Sequence, residues 1–429
     1  MKSGTPLPKD IISFLQFGAG RGIGSSKFGT KIPVELDKLF KNFREHARES
    51  GIDEELISTL NAHTVLTSHN LKTCLTDDLG AKKLVEFLKM NPQLVILEVD
   101  KSKNLICYPR SLYHQKLTEL FSDSSKFTQI SNFDVSEEIT RFNKLLKETI
   151  EQNLSTKTVK KLEPKHTIMD CYGTVKLHKS GAPLRPICTG YKSMLASTDD
   201  FLAKTFGSLL NDSKYEILGP GDFKKKIDIE NFAFNPDTQT VLSFDVKSLF
   251  TQVKVGRVIS YLLKEFKKDP HRYFEEYENN QLLAPPKIGN LRIFLHKVLT
   301  DFNFFRTEIG VFKQTSGLGM GTSLSPLLAK LFMSVFEREV VDKMIKKGLV
   351  LKWYRYVDDV LCILKTDAKE EVFHLINKWD SQLEFTQEEM GVDGLIFLDC
   401  RIFYEDGRLK FIKYRKFGTK TVLRILHYL

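Results

Sequence analysis

The sequence predicts an α+β fold: a mostly antiparallel sheet with helices packed on one face. Three observations predict it. The β-rich run TVLSFD ends at Asp245, and a second such run, KWYRYVDDVLCIL, turns at Asp358 and Asp359. Two stretches of helical apolar period separate these strands in sequence. A further hairpin pattern closes the chain.

The elements follow in order. Residues 1–90 read as mainly helical after a glycine-rich start. The run GAGRGIG there is no phosphate loop, because GxGxxG requires glycine where Ile23 stands and no Lys-Ser/Thr follows. Residues 92–110 read as two strands around a basic turn, residues 134–163 as solvent-facing helix, and residues 171–190 as strand, Gly-Ala-Pro turn, strand. A helix is expected over 193–210, then the strand ending at Asp245, then a helix from 256 to 268 with Val258, Leu262 and Phe266 on one face and Pro270 just beyond. Residues 291–316 carry a helix and a short strand pair. A helix opening at Ser323 tolerates Pro326 in its first turn and buries Leu324, Leu327, Leu328, Leu331, Val335 and Phe336. After the acidic hairpin comes a helix capped near Asp367, with Glu370 three residues on. Asp406 and Gly407 suit a type I′ turn in the last hairpin.

Composition narrows the class. The 429 residues are 41% hydrophobic and 28% charged, which fits a globular chain with a large core and excludes a disordered one. No apolar run approaches the roughly 20 residues that span a bilayer, and the N-terminus has no signal-peptide core. The expectation is therefore no membrane and an intracellular location. The six cysteines are scattered without a CxxC pair, which argues against zinc and for a reducing compartment. The net charge of +10 favours polyanion partners, and basic residues cluster over 157–192 and 401–424, on either side of the acidic positions.

Those positions are the candidate site. Carboxylates Asp245, Asp358 and Asp359, presented at one edge of adjacent strands, would repel unless cations neutralised them. Magnesium suits such donors, with manganese as a substitute, and two ions would align a primer hydroxyl, a phosphate and a leaving group. The pairs Asp77-Asp78 and Asp199-Asp200 lack flanking strands and read as solvated or capping residues. Phe250 stands five residues past Asp245, where an aromatic ring can exclude a 2′-hydroxyl; alternatively it is core. Arg185 can pair with triphosphate oxygens, as can Lys101 and Lys103, each otherwise a surface charge. Gln314 and the glycine loop up to Gly321 would bring bare backbone to a base pair.

These segments, in this order, resemble the reverse transcriptase family, and within it the Penelope-like retroelements, whose polymerase is similar to telomerase. FDVKSLFT over 244–251 and RYVDD over 355–359 resemble its two catalytic motifs. QTSGLGMGTSLSPLLAKLFM over 314–333 resembles its QxxGxxMGSPLSPxxA motif, VKLHKSGAPLRPI over 175–187 a fingers motif, and LEVDKSKN over 97–104 the first fingers motif. FLDCRIFYEDG over 397–407 is similar to a late family motif, and FLQFGAGRGIG over 14–24 to an N-terminal signature. Val175 and Ser323 replace prolines usual in the family.

The resemblance implies a right-hand polymerase fold. Its parts would be an N-terminal helical extension over 1–90, fingers over 91–235, palm over 236–399 and a hairpin over 400–429 leading toward a thumb that this chain lacks, as in a truncated copy. It implies RNA-directed DNA synthesis with RNA template, DNA primer and dNTPs, and a nuclear setting. The implied metal ligands are Asp245, Asp358 and Asp359. The implied nucleotide contacts are Lys101, Arg185, Phe250 and Gln314, with Gly321 in the loop beyond. An RNA-templated RNA polymerase and an inactive nucleic-acid-binding remnant are the alternatives.

Overall fold

Within residues 78–414, the computed structural model describes all but 102–104, 178, 208–213, 231, 271–284 and 406–407. The glycine-rich start, Asp77, Lys103 and the Asp406-Gly407 turn lie outside the described residues. Two units are distinguished: one holds residues 78–117 and 173–185, the other 118–172 and residue 186 onward.

In the smaller unit, helix α1 (Asp78–Met90) precedes the hairpin of β1 (Leu94–Glu98) and β2 (Leu105–Pro109), paired antiparallel from Leu94↔Pro109 to Glu98↔Leu105. This is the strand pair expected over 92–110. Phe87 is buried against Leu84, Leu88, Leu94, Ile96 and Leu105, so the helix is pinned by one aromatic ring on the hairpin's apolar face. Helix α2 (Arg110–Leu120) follows, unforeseen because only Tyr113 and Leu117 of its polar sequence are buried.

The larger unit takes up β3 (Phe127–Ile130), α3 (Val135–Thr149) and α4 (Thr156–Lys161). Asp134 caps α3 by accepting from the Ser136 N–H at 2.8 Å. The helix is not solvent-facing as expected: Phe142, Leu145 and Leu146 are buried, and only its other face is polar. Strands β4 (Met169–Val175) and β5 (Leu184–Cys188), each divided between the two units, follow, then α5 (Ala196–Thr205) and α6 (Pro220–Glu230) of the larger unit. Next come β6 (Gln239–Val246), the short α7 (Leu249–Gln252), α8 (Val255–Phe266) and α9 (Ile288–Asp301). Strands β7 (Phe304–Thr307) and β8 (Gly310–Gln314) lead to α10 (Leu324–Phe336), which runs through a π turn, Glu337–Val341, into α11 (Asp342–Lys346). The hairpin β9 (Val350–Tyr356) and β10 (Asp359–Lys365) is followed by α12 (Lys369–Lys378), β11 (Phe385–Glu389), β12 (Leu395–Phe397), β13 (Cys400–Glu405) and β14 (Arg408–Lys413).

The sheet that carries the candidate site has the order β11-β6-β10-β9, all antiparallel. Its two faces separate by period two. Leu242, Phe244, Val246, Val360, Cys362, Leu364 and Trp353 enter a large core with helices α8, α9 and α10. Val241, Leu361, Ile363 and Tyr354 enter a second core with Phe223 of α6 and with Leu395, Phe397 and Ile402 of β12 and β13. The expectation is helices on one face; the second face is covered as well, over the half of the sheet remote from the aspartates. The strands read as near-continuous apolar runs for that reason.

Two local expectations change. Thr366–Ala368 forms a 3-10 turn and α12 begins at Lys369 with no side-chain cap, so Asp367 does not cap it. Ser323 makes no capping bond either; the Thr322 hydroxyl accepts from the Ser325 N–H at 3.3 Å and takes that part. Among the described residues no helix is long and apolar enough to cross a membrane.

Candidate active site

Register puts the aspartates together. Asp359 is the direct cross-strand partner of Asp245, so their side chains leave the same face with Cβ atoms roughly 5 Å apart. The row extends on both sides. Tyr356 pairs with Asp359, and Thr386 pairs with Asp245. Tyr356, Asp359, Asp245 and Thr386 thus line one edge of the sheet. Sequence reasoning misses Tyr356 and Thr386, because nothing marks a residue as opposite an aspartate until register is known.

Asp358 occupies the two-residue turn between β9 and β10, and its carbonyl accepts from the Val246 N–H at 3.2 Å, which ties the turn to the end of β6. Its turn partner Val357 has φ 57°, a left-handed conformation that a β-branched residue adopts only under constraint. Arg355, fully buried, directs Nη1 at the Val357 carbonyl at 3.4 Å.

The donor set consists of hard carboxylate oxygens. Among the described residues no three His, Cys, Asp or Glu side chains already close into a cage for an ion. Magnesium does not need one: it binds through one or two carboxylates and completes its shell with water and substrate phosphates. A pair of facing aspartates with a third in the adjoining turn fits that requirement.

The glycine loop beside the sheet is built by backbone contact. Gly317, at φ 75°, lies where a Cβ would stand 2.5 Å from the Phe250 carbonyl, and the Leu318 N–H donates to that carbonyl at 2.7 Å. Phe250 is half-buried against the large core. Gln314, expected at the nucleotide, ends β8 just before this loop. It is 2% exposed, its amide nitrogen donates to the Ser316 and Leu318 carbonyls at 2.7 and 2.9 Å, and its oxygen accepts from the Met320 N–H at 3.2 Å. Its amide is spent on shaping the loop. Gly321, at φ 77°, packs against the backbone of Cys188, and a Cβ on Gly190 would stand 1.6 Å from the Gly321 carbonyl oxygen.

Lys101 and Arg185 fall in the smaller unit and come together there around Asp100. Arg185 Nε is 2.8 Å from Asp100 Oδ1, an ion pair by distance outside hydrogen-bond geometry, and Asp100 Oδ2 is buried with no hydrogen-bond partner among the described residues. Burial, and then the Arg185 charge, hold the nearby Lys176 ammonium below its usual range. Lys101, Lys176, Lys179 and Arg185 thus concentrate positive charge beside one buried carboxylate.

The Asp199-Asp200 pair is not simply solvated. Asp199 is 5% exposed, and burial followed by the Asp200 charge pushes its carboxyl up to about 7. It lines a cleft of about 290 Å³ with Lys165, Tyr191 and Asp200, bounded by Gly190 and Gly321. The folded chain holds this proton above the unfolded value of 3.8. Its contribution to stability is therefore complete below pH 3.8 and lost as pH rises through about 7. Asp199→Asn is expected to flatten the fall in thermal midpoint between pH 5 and pH 8 and to leave the variant more stable at pH 8, by no more than about 4 kcal/mol. Parallel melting curves across that range decide it; equal slopes would contradict the assignment.

An α+β fold with facing carboxylates at the edge of an antiparallel sheet and helices behind it is polymerase-like. Residues 177–392, half of the chain, match the reverse transcriptase (RNA-dependent DNA polymerase) family. The chain belongs to that family, a class of nucleotidyltransferases. Similar solved structures include telomerase from Candida tropicalis, truncated from its C-terminal domain, at 13% identity and TM-score 0.55 over 93% of this chain and 75% of that one. Telomerase from Candida albicans, in complex with the TWJ fragment of telomeric RNA, is similar at 13% identity and TM-score 0.50 over 82% of this chain. At such identity the likeness is one of fold, and the chain spans 59% of the length of the Candida albicans telomerase chain. No curated protein matches the sequence.

Proposed function

We propose that the chain is an RNA-directed DNA polymerase of a Penelope-like retroelement, acting in the nucleus. In this reading, fingers lie over 91–235 and palm over 236–399, between an N-terminal extension and a hairpin that leads toward a thumb. The observation that carries the reading is the direct pairing of Asp359 with Asp245, with Asp358 in the adjoining turn. The Penelope-like assignment rests on the FLQFGAGRGIG and fingers motifs rather than on the sheet.

Asp245, Asp358 and Asp359 would hold magnesium, with manganese as a substitute. When bound, the cations acidify the primer 3′-hydroxyl and neutralise the triphosphate and its pyrophosphate leaving group. The chain's own part is placement. The sheet register fixes the carboxylates before substrate arrives, so little reorganisation is needed during reaction. Lys101 and Arg185 offer donors to nucleotide phosphates. Gly321 and its loop present backbone to the base pair, and Gln314 keeps that loop in shape.

Phe250 is the residue proposed to exclude ribonucleotides. The test is extension of a DNA primer on an RNA template with magnesium, run separately with dNTPs and rNTPs. Extension with dNTPs is expected, and Phe250→Ala is expected to raise rNTP use relative to dNTP use by about 10- to 100-fold, as a lost steric contact worth ~1–3 kcal/mol should. No extension at all would refute the polymerase reading; rNTPs preferred by the unaltered chain would point to an RNA-templated RNA polymerase.

A further inference from the structure

The proposal rests on the polymerase reading above and concerns how its acidic turn is held. Arg355 is a fully buried arginine, and Glu337, its partner, is 1% exposed. Their contact is a two-pronged fork: Nε donates to Oε1 at 2.7 Å and Nη2 to Oε2 at 3.1 Å. Trp353 Nε1 donates to the same Oε1 at 3.2 Å. The backbone of Arg355 is also fixed, its N–H donating to the Tyr215 carbonyl at 2.9 Å and its carbonyl accepting from the Ile217 N–H at 2.8 Å. The remaining guanidinium nitrogen, Nη1, donates to the Val357 carbonyl at 3.4 Å.

Two features make this more than a buried ion pair. Glu337 opens the π turn Glu337–Val341, an irregularity that interrupts an otherwise regular helix where the carboxylate meets the guanidinium. Val357 sits in the left-handed conformation immediately before Asp358, which nothing in its own side chain favours. A charged donor reaches the carbonyl of this residue. A buried ion pair is a weak source of stability compared with apolar residues of the same volume, so stability alone does not explain it.

We infer that Arg355 and Glu337 are positioning residues: the helix carboxylate orients the guanidinium, and the guanidinium holds the Val357 carbonyl so that Asp359 stands opposite Asp245 with Asp358 in the adjoining turn. Neither residue touches substrate. In the sequence Arg355 stands out only as the first residue of RYVDD.

The test replaces both charges at once, because removing either alone leaves the other buried and unpaired. Arg355→Met combined with Glu337→Gln keeps an oxygen for Trp353 and removes the grip on Val357. In the full chain the expected results are a thermal midpoint within a few degrees of wild type and amide hydrogen exchange at 357–360 faster by about tenfold or more. In primer extension kcat is expected to fall by about 10- to 100-fold with KM for dNTP unchanged, since misplacement by about 1 Å costs that much. Arg355→Lys, which keeps the charge and loses the fork, should lie between. Wild-type exchange in the turn, or a wild-type kcat, in the folded double variant would overturn the proposal. If the unaltered chain extends no primer, the polymerase reading fails separately, and the exchange measurement still decides the positioning role.

Discussion

Asp245→Asn is expected to cut nucleotide incorporation by about 10³-fold or more, equivalent to about 4 kcal/mol of transition-state stabilisation, while leaving the chain folded. The amide that replaces the carboxylate would keep the shape and lose the charge that recruits cations. The fold should not suffer, because Asp245 is exposed at the sheet edge and faces Asp359, and like charges directly opposite each other destabilise a strand pair. The thermal midpoint should therefore stay level or rise slightly. Activity lost together with stability would mean that Asp245 is structural, and activity retained would remove it from the proposed metal site. Excess magnesium should not rescue the variant if the carboxylate itself is the ligand.

Gly190→Ala has the largest expected effect on the fold itself. The added Cβ would stand 1.6 Å from the carbonyl oxygen and 2.5 Å from the carbonyl carbon of Gly321. Both partners are backbone, so no rotamer change relieves the overlap, and the two segments must separate at a cost of about 3 kcal/mol or more. The displaced segment is the end of the loop that Gln314 shapes, so primer extension should fall with stability. Gly256→Ala is the control. Its Cβ meets nothing within 4 Å at the start of α8, and the change should be neutral or stabilising by up to ~1 kcal/mol. Equal midpoints for the two variants would show that the crossing at Gly190 and Gly321 is looser than described.

The elements with strong period are legible in the sequence. Residues 239–246 alternate into an aspartate, α8 and α10 carry clear apolar stripes, and the hairpin at Asp358 is framed by β-branched and aromatic residues. Helices α2 and α6 are not legible, since each is polar and held by only a few buried residues such as Tyr113 and Phe223. The buried face of α3 is hidden for a related reason: its apolar positions are spaced among lysines and glutamates that dominate the composition.

The sequence by itself determined which residues could do chemistry: three aspartates on strand-forming runs, a glycine loop, and the motifs shared with reverse transcriptases. Only the tertiary structure decided who faces whom. Antiparallel register set Asp359 opposite Asp245, packing turned Gln314 inward to brace its loop, and burial made Asp199 a proton-holding group rather than a surface charge. The buried fork between Arg355 and Glu337 joins a helix to the acidic turn across 18 residues of sequence. No pattern in a linear chain reveals such a contact, because a lone arginine or glutamate is ordinarily solvated until the fold removes the water around it.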